Sequence, residues 1–432
     1  MPRLKLVSYT SCDDLLSSVR EAAKQSVGPW GFMNGGVAYA EDLRAGAPVP
    51  AQADGANKAA QPAQGQDYSG TNVHTAGVDE PDLVKTDGKR IVIVAGGSLH
   101  VIDATTKRQT SQIPLQPGTS QLLLEDDRVM VLSQVYPKML YDVPNAGVAP
   151  DSKMFFPGYY VPTTRIQLID LSGFPKVTGE YEIGAQFVDA REVNGVARVI
   201  VKNTPNIAFP QWRQGDTESG RLSANRSVID KAPLEDWLPS ITVNGKRSTL
   251  DCKDISRPDT FSGASMVTVL SFDLRGGTLT DGDPVALFAD GDTVYGSGPN
   301  LYLANDQRWF MWRGPLAWQQ TAHKDGTDLY QFDITAPKPV YVAGGTIPGW
   351  LLNQYSLSEY NGVLRAATTS VPPWAGTPTK TASAVYTLTR SGGELRELGE
   401  VGGLGSGERI YAVRFVGPVG YVVTLRTHVP AW

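Results

Sequence analysis

Gly77-Val78-Asp79-Glu80-Pro81-Asp82-Leu83-Val84-Lys85-Thr86-Asp87-Gly88, continued by Arg90-Ile91-Val92-Ile93-Val94 and Leu99-His100-Val101-Ile102-Asp103, is the stretch on which the fold is decided. It reads as strand, Asp-Gly turn, strand, Gly-Gly turn, strand. The β-branched runs favour extended backbone. Asp87-Gly88 and Gly96-Gly97 supply the positive φ that tight hairpins demand. Three antiparallel strands thus meander through one short segment.

Imperfect copies of this unit follow. Asp126-Asp127 turns residues 121–124 into 129–132, with 165–170 as the next strand; Asn194-Gly195 turns 186–190 into 197–201, with 266–273 next. Asp290-Gly291 lies between 285–288 and 293–296, and 328–333 repeats the strand that ends in Asp. Asn361-Gly362 joins 354–358 to 363–368, followed by 383–388, and a last hairpin pairs 410–415 with 420–425. The recurring element is a hairpin with an Asp-Gly or Asn-Gly turn, then a strand ending near Asp103, Asp170, Asp273 or Asp333. Repeated four-stranded meanders that cannot bury their faces alone define a radial stack. The predicted fold is therefore all-β, a β-propeller of four-stranded antiparallel blades with a short N-terminal helix. Five full units and the start of a sixth are present, so the propeller is incomplete, and the chain reads as C-terminally truncated.

The flanks are organised differently. Ser11 offers an N-cap, Asp13 and Asp14 suit the positive end of a helix dipole, and Leu15, Leu16, Val19, Ala22 and Ala23 recur at helical spacing up to Gly28-Pro29. Residues 1–33 form this strand-and-helix segment. Residues 34–67, rich in Ala, Gly, Pro and Gln, lack the large apolar side chains needed to offset ordering entropy and read as a flexible linker. The propeller occupies 68–432, interrupted by insertions near 136–162 and 203–262; the second includes a short helix near residues 233–237. Insertions on blades map to loops of one face, often the face used for binding.

Composition bounds the function. With 41% hydrophobic and 19% charged residues the 432-residue chain is globular, and 45 glycines with 30 prolines suit many short strands. A net charge of −5 without any Lys/Arg block excludes a nucleic-acid footprint. No apolar run of about 18 residues spans a membrane, and the N-terminus lacks the apolar core of a signal peptide. The two cysteines, Cys12 and Cys252, read as free thiols in a reducing compartment or as one disulfide outside the cytoplasm.

Candidate chemistry is sparse. Asp79, Glu80 and Asp82 lack the spacing of a calcium loop and read as a strand-entry motif, with Asp82 or Asp87 capping turn amides. His74, His100, His323 and His428 are scattered, without a zinc-ligand pair, so neither a metal nor a cofactor is expected. Gly403-Leu404-Gly405-Ser406-Gly407 precedes a strand, not a helix, and is neither a nucleophile elbow nor a phosphate cradle. The aromatic segment 309–318, with Trp350 and Trp374, divides between rings packed among blades and a loop-borne stacking platform. The platform reading names Trp309, Trp312, Arg313 and Trp318 as residues that hold a protein or glycan partner.

Residues 68–88, 349–360 and 402–415, together with Ser11-Cys12-Asp13 and Asp251-Cys252, resemble the secreted prokaryotic beta-propeller domain proteins, distantly related to WD40 repeats. The resemblance covers nearly the whole chain. It implies an extracytoplasmic or surface-attached protein and favours a Cys12–Cys252 disulfide, but implies no activity. The sequence thus points to a non-catalytic extracytoplasmic binding module. The alternative is a propeller-type hydrolase or lyase that uses channel-lining acidic residues. Oligomeric state is not encoded in any of these features.

Overall fold

The computed structural model describes residues 4–29, 31–32, 73–116, 118–136, 162–210, 215–259, 262–263, 265–306, 326–371 and 381–426. The linker, most of the 136–162 insertion, the Trp-rich segment, Trp374, His323 and His428 lie outside them.

Five meanders of four strands succeed one another. Blade 1 is Val84–Thr86, Arg90–Ala95, Ser98–Asp103 and Gln109–Pro114. Blade 2 is Thr119–Glu125, Arg128–Val135, Thr163–Asp170 and Lys176–Ile183, extended outward by the small hairpin Ile241–Val243 and Lys246–Ser248. Blade 3 is Gln186–Val193, Val196–Asn203, Met266–Asp273 and Val285–Leu287, and its outer edge carries Ile255–Pro258 and Leu6–Ser8. Blade 4 is Thr293–Gly296, Asn300–Asn305, Gly326–Asp333 and Val340–Pro348. Blade 5 is Leu357–Tyr360, Val363–Thr369, Ser383–Ser391 and Glu394–Leu404. Blade 6 shows two strands, Arg409–Val416 and Val419–Leu425.

The core lies between blades. Val92, Leu99 and Val101 of blade 1 meet Leu122, Val129 and Val131 of blade 2. The alternate residues of those same strands, Leu123, Met130 and Leu132, face blade 3. Both faces of blade 2 are therefore dry, which is why residues 122–124 and 129–132 read as continuous apolar runs and not as an alternation. Further cores join blade 3 to 4 through Val269 and Leu303, blade 4 to 5 through Leu329 and Leu364, and blade 5 to 6 through Ala367 and Val413. Burying each such side chain contributes roughly 1.5–3 kcal/mol.

The repeated Asp has one structural role. At the end of the third strand its Oδ1 accepts from the following turn: Thr106 N at 2.6 Å for Asp103, Ser172 N at 2.8 Å for Asp170, Arg275 N at 2.9 Å for Asp273 and Thr335 N at 2.9 Å for Asp333. Blade 5 has Ser391 there, before Gly392 at φ 62°. On the same end each blade grips the next. Arg90 pairs with Asp127 at 2.8 Å, Arg275 Nε donates to Glu125 at 3.0 Å, Arg198 donates to the carbonyls of Ile334 and Ala336, and Arg365 donates to that of Gly417. Between blades 4 and 5 the grip is Glu359, whose Oε2 accepts from Ser297 Oγ (2.8 Å), Asn300 Nδ2 (3.0 Å) and Tyr302 OH (2.8 Å).

Helix α1, Cys12–Ser26, is capped by Ser11 Oγ accepting from Asp14 N at 3.1 Å, and buries Leu15, Val19 and Ala23. A second helix, α2, Glu218–Lys231, lies within the 203–262 insertion and is not expected from the sequence. It buries Arg221, Asn225 and Ile229, mostly polar side chains, so no apolar stripe announces it. Residues 234–236 form only a single 3-10 turn. Two turns also differ from expectation. Asp290-Gly291 connects blade 3 to blade 4, because Val285–Leu287 already pairs with 267–269 as the last strand of blade 3. Residues 354–356 are a 3-10 turn ahead of the first strand of blade 5, held by Asn353 Oδ1 accepting from Tyr355 N at 3.0 Å.

A disulfide joins Cys12 at the start of α1 to Cys252, with Cα atoms 5.4 Å apart.

Candidate functional site: an inner polar cluster and a loop face

Before it enters blade 1, the signature segment crosses the first strands of other blades. Asp79 bridges Glu192 of blade 3 through backbone bonds of 2.8 and 2.9 Å, and Asp82 bridges Leu122 of blade 2 through bonds of 3.1 and 2.8 Å. His74 extends the contact to blades 4 and 5, its ring edge-on to Tyr295 at 5.2 Å and to Tyr355 at 4.9 Å. Gly296 lets this happen: a Cβ there would stand 3.0 Å from Arg191 Cγ and 3.2 Å from Val78 Cγ1.

The charges of this segment face partners within the fold. Lys85 Nζ lies 2.6 Å from Asp79 Oδ1, both largely covered. Arg191, 1% exposed, is 2.6 Å from Asp189 and 3.6 Å from Glu80, and donates to the carbonyls of Ala190 and Val294 at 2.6 and 3.2 Å. Burial raises the Glu80 carboxyl above its ordinary range, against the opposing pull of Arg191. Burial, reinforced by the positive charges of Arg191 and Arg414, lowers His74 to about 4, so its ring is neutral at physiological pH. Asp87 and Asp82 act as turn caps: Asp87 Oδ1 accepts from Lys89 N and Arg90 N at 2.9 and 2.6 Å, and Asp82 Oδ1 from Leu83 N at 2.6 Å. Among the described residues no group of three His, Cys, Asp or Glu side chains is placed to hold a metal ion. Reading the sequence singled out Asp79, Glu80 and Asp82 but missed Arg191. No local pattern marked Arg191, because the strand is bulged between Phe187 and Asp189 and its burial does not alternate.

The long connections define the second candidate region. In blades 2, 3, 4 and 5 the chain leaves the second strand and returns at the third across 136–162, 204–265, 306–325 and 370–382. A meander reverses direction at each strand, so these connections and the links between blades emerge at one end, opposite the Asp-capped turns. The Trp-rich segment belongs to this set. Trp309, Trp312, Arg313 and Trp318 lie outside the described residues, but the residues on either side of that segment are placed. Trp350 is buried and its Nε1 donates to the carbonyl of Asp306 at 3.1 Å; Thr327 Oγ1 donates to Gly349 O at 2.8 Å; Asn305 Nδ2 donates to Ser262 O at 3.0 Å. Trp350 is thus an internal anchor that holds the chain at Asp306. Gly326, where a Cβ would stand 2.6 Å from Ile347 O, fixes the return.

A radial stack of meanders with its inner strands crossed by an entry segment defines the propeller class. The family model for the beta propeller domain matches residues 68–431, and the chain belongs to that family. An uncharacterized protein of Archaeoglobus fulgidus is 25% identical over 421 residues, covering 83% of this chain and 60% of that protein. Another, from Methanocaldococcus jannaschii, is 24% identical over 382 residues, covering 83% of this chain and 58% of that one. The chain therefore spans less than two thirds of the length of these relatives. Among solved structures, hydrazine synthase of Kuenenia stuttgartiensis aligns over 78% of this chain and 69% of its own, at 12% identity and a TM-score of 0.28. No helix among the described residues is long and apolar enough to cross a membrane.

Proposed function

We propose that this propeller is a non-catalytic, extracytoplasmic binding module whose loop face holds a protein or glycan partner. The observation that carries this reading is topological. The long second-to-third-strand connections of blades 2 to 5 leave from one end, whereas the other end carries the Asp-capped turns and, in blade 3, the 274–284 connection. Side chains on the 307–325 segment, Trp309, Trp312, Arg313 and Trp318, form the stacking platform, with flat aromatic faces that contribute strongly at interfaces. The disulfide fits an oxidising compartment. The test is retention of the purified chain on insoluble cell-wall glycan and on immobilised cell-envelope protein. Trp312→Ala with Trp318→Ala weakens retention at least about tenfold, a loss near 1.4 kcal/mol, and leaves the melting curve unchanged. Undiminished retention with normal melting would sink the platform.

One observation favours a second reading, hydrolase or lyase chemistry at the inner cluster. Glu80, in the entry segment that also carries the neutral ring of His74, is a carboxyl that burial raises above its ordinary value, 3.6 Å from the buried guanidinium of Arg191. Turnover of glycoside or polysaccharide substrates that disappears in Glu80→Gln, with folding retained, would establish it over the binding reading.

A further inference from the structure

We propose that the Asp283–Pro284 peptide bond of blade 3 is a self-cleavage site, at which the Asp283 carboxylate cuts its own main chain and leaves two chains that stay together. It is the only Asp-Pro step in the sequence, and the fold holds it out of its relaxed shape. Ser271 N donates to Gly282 O at 2.6 Å, and Val285 pairs with Val269. Two steps along the third strand, from Ser271 to Val269, are thus matched by three, from Gly282 to Val285. The extra residue makes a bulge, and Asp283 absorbs it at a φ of 41°. Among the described residues the other non-glycines with positive φ, Lys107, Asp126, Asn194, Asn244 and Asn361, lie in connections between paired strands, where tight turns use that conformation. Asp283 instead precedes proline, whose ring crowds the backbone before it and pushes that residue towards extended, negative φ. Gly282 cannot take over the distortion in another form: its φ is already 83°, and a Cβ there would stand 2.9 Å from Phe272 Cζ. Strain of this kind persists only where the surroundings impose it, and it marks sites where it is used.

The chemistry needs water and nothing else. Asp283 is exposed, so solvent reaches the bond. A carboxylate oxygen of Asp283 attacks its own main-chain carbonyl carbon and closes a cyclic anhydride. The C–N bond to Pro284 breaks, and the proline nitrogen takes a proton from solvent and leaves as a secondary amine. Water then opens the anhydride, so that Asp283 becomes a C-terminus and Pro284 an N-terminus, with one water added in all. Breaking the bond frees the twisted backbone, so the strain speeds the step. The charged groups around it are Asp281, whose Oδ1 accepts from Asp283 N at 3.5 Å, and Arg198 of the second strand, whose charge reaches Asp283. The two products remain joined. Val285–Leu287 stays paired to 267–269 and to Ile255 and Ser256, and Val269 and Leu303 share a core across the cut.

The test incubates the purified full chain at one mildly acidic pH, folded or unfolded in urea, and follows it by denaturing gel and intact mass. Fragments ending at Asp283 and beginning at Pro284 are expected, their masses summing to that of the chain plus one water. The folded chain should cleave at least about tenfold faster than the chain in urea, where Asp283 relaxes. Asp283→Glu keeps the charge but lengthens the attacking arm, and Pro284→Ala removes the crowding ring; each should slow cleavage at least about tenfold in a chain that still melts cooperatively. Absence of these fragments, equal rates in the folded and unfolded chain, or undiminished cleavage in either variant would each overturn the proposal.

Discussion

Glu359 illustrates how single side chains couple blades. Its carboxylate accepts three side-chain hydrogen bonds from blade 4, and its own backbone N–H donates to Tyr295 OH at 2.8 Å. Glu359→Ala would leave Ser297, Asn300 and Tyr302 without that acceptor in a half-dry interface. The expected loss is about 1–3 kcal/mol, read from urea denaturation; Glu359→Gln, which keeps an acceptor oxygen, should lose less. His74 provides a prediction in pH. Its folded value of about 4 lies below the 6.5 of the free ring, so between these the unfolded chain binds the additional proton. Stability from this group is complete above about 6.5, falls as pH drops through the window, and is lost near 4. The gap bounds the effect at roughly 3 kcal/mol. Glu80, raised by burial, contributes with the opposite sign above its unfolded value, but it is present in wild type and variant alike and cancels in the comparison. His74→Phe should therefore flatten the decline of the denaturation midpoint between pH 6.5 and 4. Parallel profiles would mean that the ring titrates as it does in water.

Among elements, the Asp-capped turns were legible and α2 was not, for opposite physical reasons. A strand that ends in Asp before a short polar turn leaves a mark in the sequence, because the carboxylate and the turn amides it serves are neighbours in the chain. Helix α2 buries Arg221 and Asn225, whose partners are distant: Asn225 Nδ2 donates to the carbonyls of Gly28 and Pro29 at 2.9 and 3.2 Å. No local pattern encodes such a contact. Asp290-Gly291 misled for a related reason, since a turn dipeptide announces a bend and not whether the bend lies within a blade or between two. The caps carry a prediction. Asp103→Ala loses bonds to both Thr106 N and Thr106 Oγ1, and Asp333→Ala loses the same pair at Thr335. Each should cost about 0.5–1.5 kcal/mol per bond removed. Asp→Asn, which retains Oδ1, should recover most of it. Equal losses for Ala and Asn would point to charge, and not to capping, as the role of the repeat.

At the scale of the whole molecule the N-terminal segment is tied to the stack in three ways. Leu6–Ser8 pairs with Ile255–Pro258 on the edge of blade 3, Tyr341 OH donates to Leu4 O at 3.0 Å, and the disulfide links positions 240 residues apart. Five units and the start of a sixth were legible from the recurring hairpins, though not from the spacing of their turns, which is irregular. The convergence of long connections on one end was only half legible, because irregular insert lengths hide which strand precedes each until register is known. The inner cluster was legible least, since Arg191 and His74 meet only when blade 3 and the entry segment are juxtaposed. Of the three ties, the covalent one acts chiefly on the unfolded chain, and closing so long a loop is worth about 2–4 kcal/mol. The packed ties act on the folded state: Leu15, Val19 and Ala23 are buried, and Arg20 donates to Ala232 O at 2.7 Å. These effects separate in one experiment. Cys12→Ser with Cys252→Ser should lower the unfolding free energy by about 2–4 kcal/mol. Under native conditions the variant should nevertheless keep α1 docked and give the same limited-proteolysis fragments as the oxidised chain. If the N-terminal segment were instead cleaved away from the variant without denaturant, the sulfur bridge itself would be the clasp, and the apolar face of α1 would contribute too little to hold blade 3's edge closed.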